Sequence, residues 1–491
     1  MPSWTLVLTI LEWLIRVGMV PVVVLRKRKP SVCTAWLLLV FFLPWVGLIL
    51  YVLIGENRLG RRRAVKRLRR LGEYEQAREP HPEPPDGASA LGQDTASGDA
   101  EGGGDAETPA TAILGRLAQA VGGFRPARGN EVAFLSDTDE TIDRLVADIA
   151  EARHHVHLLF YIIRSDAVGD RVGDALVDAV GRGVECRLLA DSVGSWWFFG
   201  SLGRRLRHAG VEVAEALPAN PIRRRFERLD LRNHRKLAVI DGRVAYTGSQ
   251  NIVEATYGHR RAGPWHDVMA RVTGPLVRQL QVVFLEDWSH ETGHLVVGEA
   301  YFPRAEPTGR STVQPVPTGP GGSAEQFKDL LIEAVHLARR KVVLTSPYFV
   351  PDETMMLALR LAVHRGVQLT IVVPRRTDMR LVDSAGTFYC EYLAREGADV
   401  YLHDDGMLHT KALTVDDTVA LFGSANFDVR SFQLDFELTL LLYGAEAVSA
   451  LRKIQRQYQG RSTRADVAYW ENRGWLPRLA SNVTKLASPL L

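Results

Sequence analysis

One signature, His-x-Lys-x₄-Asp, occurs twice in this chain, and no other feature limits its fold as much. LRNHRKLAVIDGRVAYTGSQN (231–251) carries His234, Lys236 and Asp241, and MLHTKALTVDDTVALFGSAN (407–426) carries His409, Lys411 and Asp416. Each copy runs on to Gly-Ser-x-Asn, with Gly248, Ser249 and Asn251 in the first and Gly423, Ser424 and Asn426 in the second. The offset is common to both words: 409 minus 234 and 423 minus 248 each give 175. A lone copy would mean little. Two copies with the same trailing word at the same spacing mark an internal duplication, so the chain must build one unit twice.

The flanking sequence repeats a βαβ pattern. VHLLFYII (156–163) reads as a buried strand, DRVGDALVDAVGRG (170–183) as an amphipathic helix and VECRLLAD (184–191) as the next strand. The second half gives KVVLTSPYFV (341–350), ETMMLALRLAVHRG (353–366) and VQLTIVVP (367–374). The expectation is an α/β fold of two pseudo-symmetric lobes, 112–308 and 309–491, each with a mixed β-sheet flanked by helices. A chain of 491 residues has length enough for more than one core.

The residue types explain the spacing. Side chains on a strand alternate faces, so His234 and Lys236 share a face, as do His409 and Lys411. A nucleophile and a cation that grips phosphoryl oxygens need to be such neighbours. Two imidazoles suit phosphodiester transfer through a covalent intermediate: one attacks phosphorus, and the other protonates the leaving alkoxide and then deprotonates the incoming alcohol. Lys236, Lys411, Asn251, Asn426, Ser249 and Ser424 are candidates to hold the non-bridging oxygens. Asp241 and Asp416 complete the catalytic signature, but their parity is opposite and Gly242 follows the first, so a structural, turn-closing role is expected of them. Each imidazole also needs an acceptor on its other nitrogen. Asp267 in PWHDVMARVTGP and Glu437 in QLDFELTLLLY are the candidates, with a surface salt bridge as the alternative for each.

The first seventy residues read as a membrane anchor. Ser31 to Ile54 is 24 positions without a charge, and about 20 suffice to cross a bilayer, so one transmembrane helix is expected there, with Pro44 a possible kink. Trp4 to Leu25 is also apolar but holds Glu12 and Arg16, an i, i+4 pair; spanning and re-entrant placements both stay open. Basic runs follow both segments, at 26–29 and within 57–70. Such runs mark the cytoplasmic side, and two full spans would put one of them on the wrong side, which favours a first segment that does not cross. Residues 71–111 are expected to be a disordered linker, because 79–111 holds one large aliphatic residue, Leu91. A formal net charge of +3 is low for a general nucleic-acid binder. The three cysteines, Cys33, Cys186 and Cys390, have no zinc spacing and suit a reducing compartment. The C-terminal WLPRLASNVTKLASPLL puts Leu479, Val483, Leu486 and Leu490 at helical spacing, for packing on lipid or on the protein body.

These residues resemble the phospholipase D superfamily, and within it the bacterial cardiolipin synthases. The similar words include LRNHRKLAVIDGRVAYTGSQN, TSPYFVPDE, LHTKALTVDD, GSANFDVRSFQLDFELTL, the N-terminal LYVLIGENRLGRR and the terminal SPLL, and only the 79–111 linker falls outside the likeness. The resemblance implies two lobes meeting at one cleft, a phosphohistidine intermediate and no catalytic metal or cofactor. It implies that two phosphatidylglycerol molecules give cardiolipin and glycerol at a bacterial inner (cytoplasmic) membrane, with the lobes in the cytoplasm and no nucleic-acid partner. It also implies His234 as nucleophile, His409 as acid/base, and Asp267 and Glu437 as orienting acids. The residues leave open whether the donor is phosphatidylglycerol or a nucleotide-activated lipid, and they leave the oligomeric state open. A membrane-bound phospholipid hydrolase, a tethered nuclease and a scaffold with a decayed site are the competing readings.

Overall fold

A computed structural model describes residues 4–25, 30–55, 74, 109–218, 230–258, 261–320 and 323–485. The N-terminal segment differs from expectation. Among the described residues, the one helix long and apolar enough to cross a membrane is α1 (Trp4–Val24), with Glu12 and Arg16 paired at 3.1 Å. The apolar run after it is two helices, α2 (Pro30–Phe42) and α3 (Pro44–Ile54), so it is not the single transmembrane helix its composition suggested. Pro44 has no N–H to donate and pushes the residue before it out of the helical region. Leu43 accordingly sits at φ −131°, ψ 71°.

The break reverses the chain. Trp36 and Tyr51 touch with ring centroids 5.2 Å apart, whereas fifteen residues of unbroken helix would separate them by roughly 22 Å. A Cβ at Gly47 would lie 2.7 Å from Val40 Cα, so the hairpin closes only around glycine. At roughly 20 and 17 Å, each arm falls short of a hydrocarbon core of about 30 Å. Arg16 Nε donates to Phe41 O at 2.9 Å and so caps a carbonyl left over at the end of α2. The two charges inside α1 thus serve the hairpin tip. The basic runs at 26–29 and 57–70 lie outside the described residues, as does most of the expected linker. Tyr74, within that expected linker, is 2% exposed and donates its hydroxyl hydrogen to Val296 O at 2.8 Å.

The body begins with α4 (Pro109–Gly122). The first lobe continues with β1 (Ala127–Leu135), α5 (Thr138–Glu151), β2 (His155–Phe160), α6 (Ala167–Gly181) and β3 (Glu185–Asp191). Then come α7 (Trp196–Gly200), α8 (Leu202–His208), β4 (Glu212–Ala216), β5 (Leu237–Ile240), β6 (Val244–Gly248), β7 (Trp265–His266), β8 (Met269–Thr273) and α9 (Leu276–Thr292). The second lobe opens with β9 (Ser311–Thr318), α10 (Ser323–Leu337), β10 (Lys341–Thr345), β11 (Phe349–Val350), α11 (Glu353–His364) and β12 (Gln368–Pro374). It goes on through α12 (Arg380–Arg395), β13 (Asp399–His403), β14 (Met407–Leu408), β15 (Ala412–Val415), β16 (Val419–Gly423), β17 (Phe427–Asp428), α13 (Val429–Gln433) and β18 (Glu437–Tyr443). It closes with α14 (Ala445–Gly460), β19 (Ser462–Arg464), α15 (Val467–Glu471) and α16 (Trp475–Thr484). The two βαβ units fall where the sequence put them, except that Pro347 splits the run 341–350 into β10 and β11.

Both lobes contribute to one fifteen-stranded sheet, in the order β19-β13-β12-β10-β15-β16-β18-β9-β1-β8-β6-β5-β2-β3-β4. Outward from the central antiparallel pair β1·β9, the two halves run through equivalent strands in the same order, with β19 as an extra edge. The outer strands β2, β3 and β4 are parallel, as are β10, β12 and β13, and the inner ones are antiparallel. The cores interlock. Leu114, Ala118 and Val121 of α4 pack with α10 in the second lobe's cluster, although they precede β1. Leu451 and Ile454 of α14 pack in a cluster with Leu280 and Phe284 of α9.

Candidate active site

The strands β5 and β15 start directly after the two lysines, and the residues before them leave the sheet to reach the other lobe. Leu408 pairs with His266 through β14 and β7, and Asn233 makes the matching bridge to Phe436. His409 N–H therefore donates to His266 O at 2.9 Å, and His234 N–H to Phe436 O at 2.9 Å. The residues after those two carbonyls are Asp267 and Glu437. Each signature histidine is pinned by its own backbone beside an acid from the opposite lobe.

The side chains complete the crossing. His409 Nδ1 lies 2.7 Å from Asp267 Oδ1. His234 Nδ1 lies 3.1 Å from both carboxylate oxygens of Glu437 and 3.1 Å from Ser424 O. With Nδ1–H donated to these acceptors, Nε2 of each ring is left as the basic nitrogen. Lys236 Nζ folds back onto His234 O and Lys411 Nζ onto His409 O, both at 2.7 Å, which sets each ammonium beside its own histidine. Tyr161 meets the His234 ring edge-on with centroids 4.9 Å apart, and Trp265 meets His409 likewise at 4.5 Å.

Electrostatics ties these groups into one cluster. Burial drives His234 well below the ordinary imidazole range, and both Lys236 and Lys411 add to the effect. Burial and Lys411 bring His409 down to about 3 against the pull of Asp267. Lys236 falls to about 8 through burial, and Lys411 falls far below its usual value through burial and the charge of Lys236. Burial raises both acids, but at Asp267 the charges of His409 and Lys411 and the His409 and Ser249 hydrogen bonds outweigh it, leaving about 2. At Glu437 burial prevails over Lys236 and the Ser424 and Ser431 hydroxyls and holds the carboxyl up to about 7.

The remaining expected residues divide. Ser249 Oγ donates to Asp267 Oδ1 at 2.6 Å and Ser424 Oγ to Glu437 Oε2 at 2.5 Å, so these hydroxyls hold the acids and are not free for a phosphate. Asn251 Oδ1 accepts from Ile162 N–H at 3.0 Å, and its side chain also lies beside the Tyr257 hydroxyl; Asn426 Oδ1 is buried without a hydrogen-bond partner. Asp241 and Asp416 do not reach the site. Both have left-handed backbones, with φ 51° and 47°, at the far ends of β5 and β15. Asp241 accepts from the N–H groups of Arg153, His154 and His155, and Asp416 from those of Arg339, Arg340 and Lys341. Although they complete the catalytic signature, Asp241 and Asp416 hold turns and bring no side chain to the site, the structural role expected of them.

Three contributors were missed. Tyr161 and Trp265 flank the rings; the aromatics in FYII and in PWHD were the available signal. Arg235, between His234 and Lys236, is buried and binds Asp287 at 2.6 Å, Glu437 O at 3.0 Å and Thr318 O at 3.0 Å, which clamps the strand carrying Glu437. Its signal was an arginine inside an otherwise buried motif.

Known proteins are similar to this chain. A family model described as cardiolipin synthase, PLD-like domain matches residues 145–288 and again 331–458, one signature in each, and a model described as phospholipase D-nuclease N-terminal matches 20–56. Cardiolipin synthase A of Yersinia pseudotuberculosis is 36% identical over 486 residues, covering 98% of this chain and 97% of that protein. Cardiolipin synthase A of Erwinia tasmaniensis is 35% identical over 496 residues, covering 100% and 98%. Among solved structures, phosphatidylserine synthase of Haemophilus influenzae aligns with a TM-score of 0.56 over 73% of this chain and 95% of that one, at 16% identity, a likeness of fold alone.

Proposed function

Since the chain belongs to the cardiolipin synthase family of phospholipase D-like phosphatidyltransferases, we propose that it joins two phosphatidylglycerol molecules through a phosphohistidine on His234. In the first step His234 Nε2 attacks phosphorus. The N–P bond forms, the P–O bond to the headgroup glycerol breaks, and the His409 imidazolium gives its proton to the leaving oxygen. In the second step neutral His409 takes a proton from the headgroup hydroxyl of another phosphatidylglycerol, whose oxygen displaces His234. The products are cardiolipin and glycerol.

The observation that carries this reading is the crossed pairing of each histidine with the other lobe's acid. It also supports the division of labour. Asp267, held at about 2, is ionised at neutral pH and pulls His409 upward; burial and Lys411 outweigh that pull until the anionic diester offsets the lysine charge and lets His409 take up its proton. Glu437, held at about 7, is only partly ionised there, and His234 shares its Nδ1–H with a neutral carbonyl as well, which suits a neutral nucleophile. Burial depresses both lysines, and the charge of Lys236 depresses Lys411 further, an imbalance that the anionic diester and its developing charge would offset.

The same reading places 112–308 and 309–491 as the two lobes, on the cytoplasmic side of the bacterial inner membrane. In support, a hairpin that does not cross leaves both basic runs on the side where α1 ends, as the positive-inside rule requires. The test is lipid analysis of a cardiolipin-deficient host. Expression of the intact chain restores cardiolipin, and His234→Ala or His409→Ala each lowers it by at least about a hundredfold. Near-full cardiolipin from either variant contradicts the paired site, and accumulation of phosphatidic acid in its place would show a hydrolase.

A further inference from the structure

The C-terminal helix α16 is amphipathic the wrong way round. Its polar side faces the protein. Ser481 is 2% exposed, Thr484 Oγ1 donates to Ser384 Oγ of α12 at 2.9 Å, and Arg478 donates to Trp470 O at 2.9 Å and to Glu471 O at 3.1 Å. Its apolar side faces outward, with Trp475 72%, Leu476 59%, Leu479 53% and Val483 56% exposed, along one stripe of the helix. Burial of its apolar stripe normally holds a surface helix to its domain. Here hydrogen bonds hold it and the stripe is left without cover.

We propose that α16 is a docking surface for an anionic bilayer, its apolar stripe inserted at the boundary between headgroups and acyl chains. Three observations select that occupant. From Asn472 to Leu491 the sequence contains three basic residues and no acid; Arg478 and Arg473 are held by body carbonyls and Glu391 respectively, but the segment as a whole carries net positive charge, which favours an anionic surface. A tryptophan opens the helix, and tryptophan favours the membrane interface. The stripe offers roughly 500 Å², short of the ~800 Å² that each partner of a stable dimer buries. Leu381, at the start of the neighbouring α12, is also exposed and extends the surface. The inference deepens the membrane reading given above: lobe 2 would be tethered to the surface that supplies its substrate at a point remote in sequence from α1.

The test uses the full chain with Cys33→Ala in phosphatidylglycerol-containing vesicles, with an environment-sensitive fluorophore on Leu479→Cys or, as the control turned away from the stripe by about 135° at about 100° per residue, on Lys485→Cys. Docking predicts blue-shifted emission at position 479, quenched by lipids brominated on their acyl chains, and neither effect at position 485. Emission unquenched at both positions, or a label at 479 that cross-links to a second copy and is not quenched, overturns the proposal. This readout needs no turnover, so it stands or falls apart from the transferase reading. Leu479→Ser combined with Val483→Ser should lower transfer from vesicle lipid about tenfold and leave transfer from dispersed dihexanoyl phosphatidylglycerol unchanged. An equal loss on both substrates would mark α16 as merely structural and overturn docking.

Discussion

At each histidine the deciding contact is a carboxylate from a residue 142 or 203 positions away. Asp267→Asn removes the charge that favours protonated His409, so the limb of the pH–rate profile belonging to the acid moves to lower pH, and kcat falls about a hundredfold with little change in KM. A pH–rate profile on mixed micelles checks this; an unmoved limb would assign the acid elsewhere. Glu437 has the opposite character. Its folded value of about 7 lies above the unfolded 4.5, so the fold retains a proton that the unfolded chain gives up between those pH values. Its contribution to stability is complete below pH 4.5 and is lost as pH rises through 7. Glu437→Gln should therefore raise the thermal midpoint at pH 8, by an amount worth at most about 3 kcal/mol, and make no difference at pH 4.5, while transfer collapses. The sequence showed both acids as candidates because each sits in a strand-like run after Gly-Ser-x-Asn. It could not show which histidine each serves, since local periodicity carries no information on pairing across lobes.

Among the elements, the N-terminal hairpin separates composition from conformation most clearly. Hydropathy counts the apolar residues of 31–54 and reports a span, but it does not see that Pro44 and Gly47 together let the chain turn back on itself. The tension between two basic runs, legible in the sequence, was real; its resolution is that α1 has the length to cross and the second segment returns. Lys29→Cys and Glu56→Cys should then react with an impermeant maleimide from the same face of the membrane. Labelling from opposite faces would mean that 31–54 spans. The strands β5 and β15 are shorter than the shared-face argument required: they begin after Lys236 and Lys411, so each His-x-Lys pair lies before its strand, while Asp241 and Asp416 sit at the far ends in the turns expected of them. That Ser249 and Ser424 bind the acids depends on β8 and β18 lying beside β6 and β16, a neighbour relation no motif encodes.

The molecule as a whole repeats one design twice along a single sheet, so that two identical words of sequence become one site with unlike halves. Duplication was readable from the offset of 175. The fused sheet, the sharing of α4 with the second lobe and the crossing of His409 to β7 were not, because they arise from packing between halves that look independent in sequence. The central claim is that both imidazoles act on one phosphorus, His234 bonding to it and His409 moving protons. The direct measurement is mass spectrometry of His409→Ala quenched during reaction with a phosphatidyl ester of p-nitrophenol, whose leaving group needs no proton. The account predicts a burst of nitrophenol matched by a phosphatidyl adduct on His234 that persists for want of a base. An absence of adduct with nitrophenol still released, or an adduct that forms equally in His234→Ala, would contradict it.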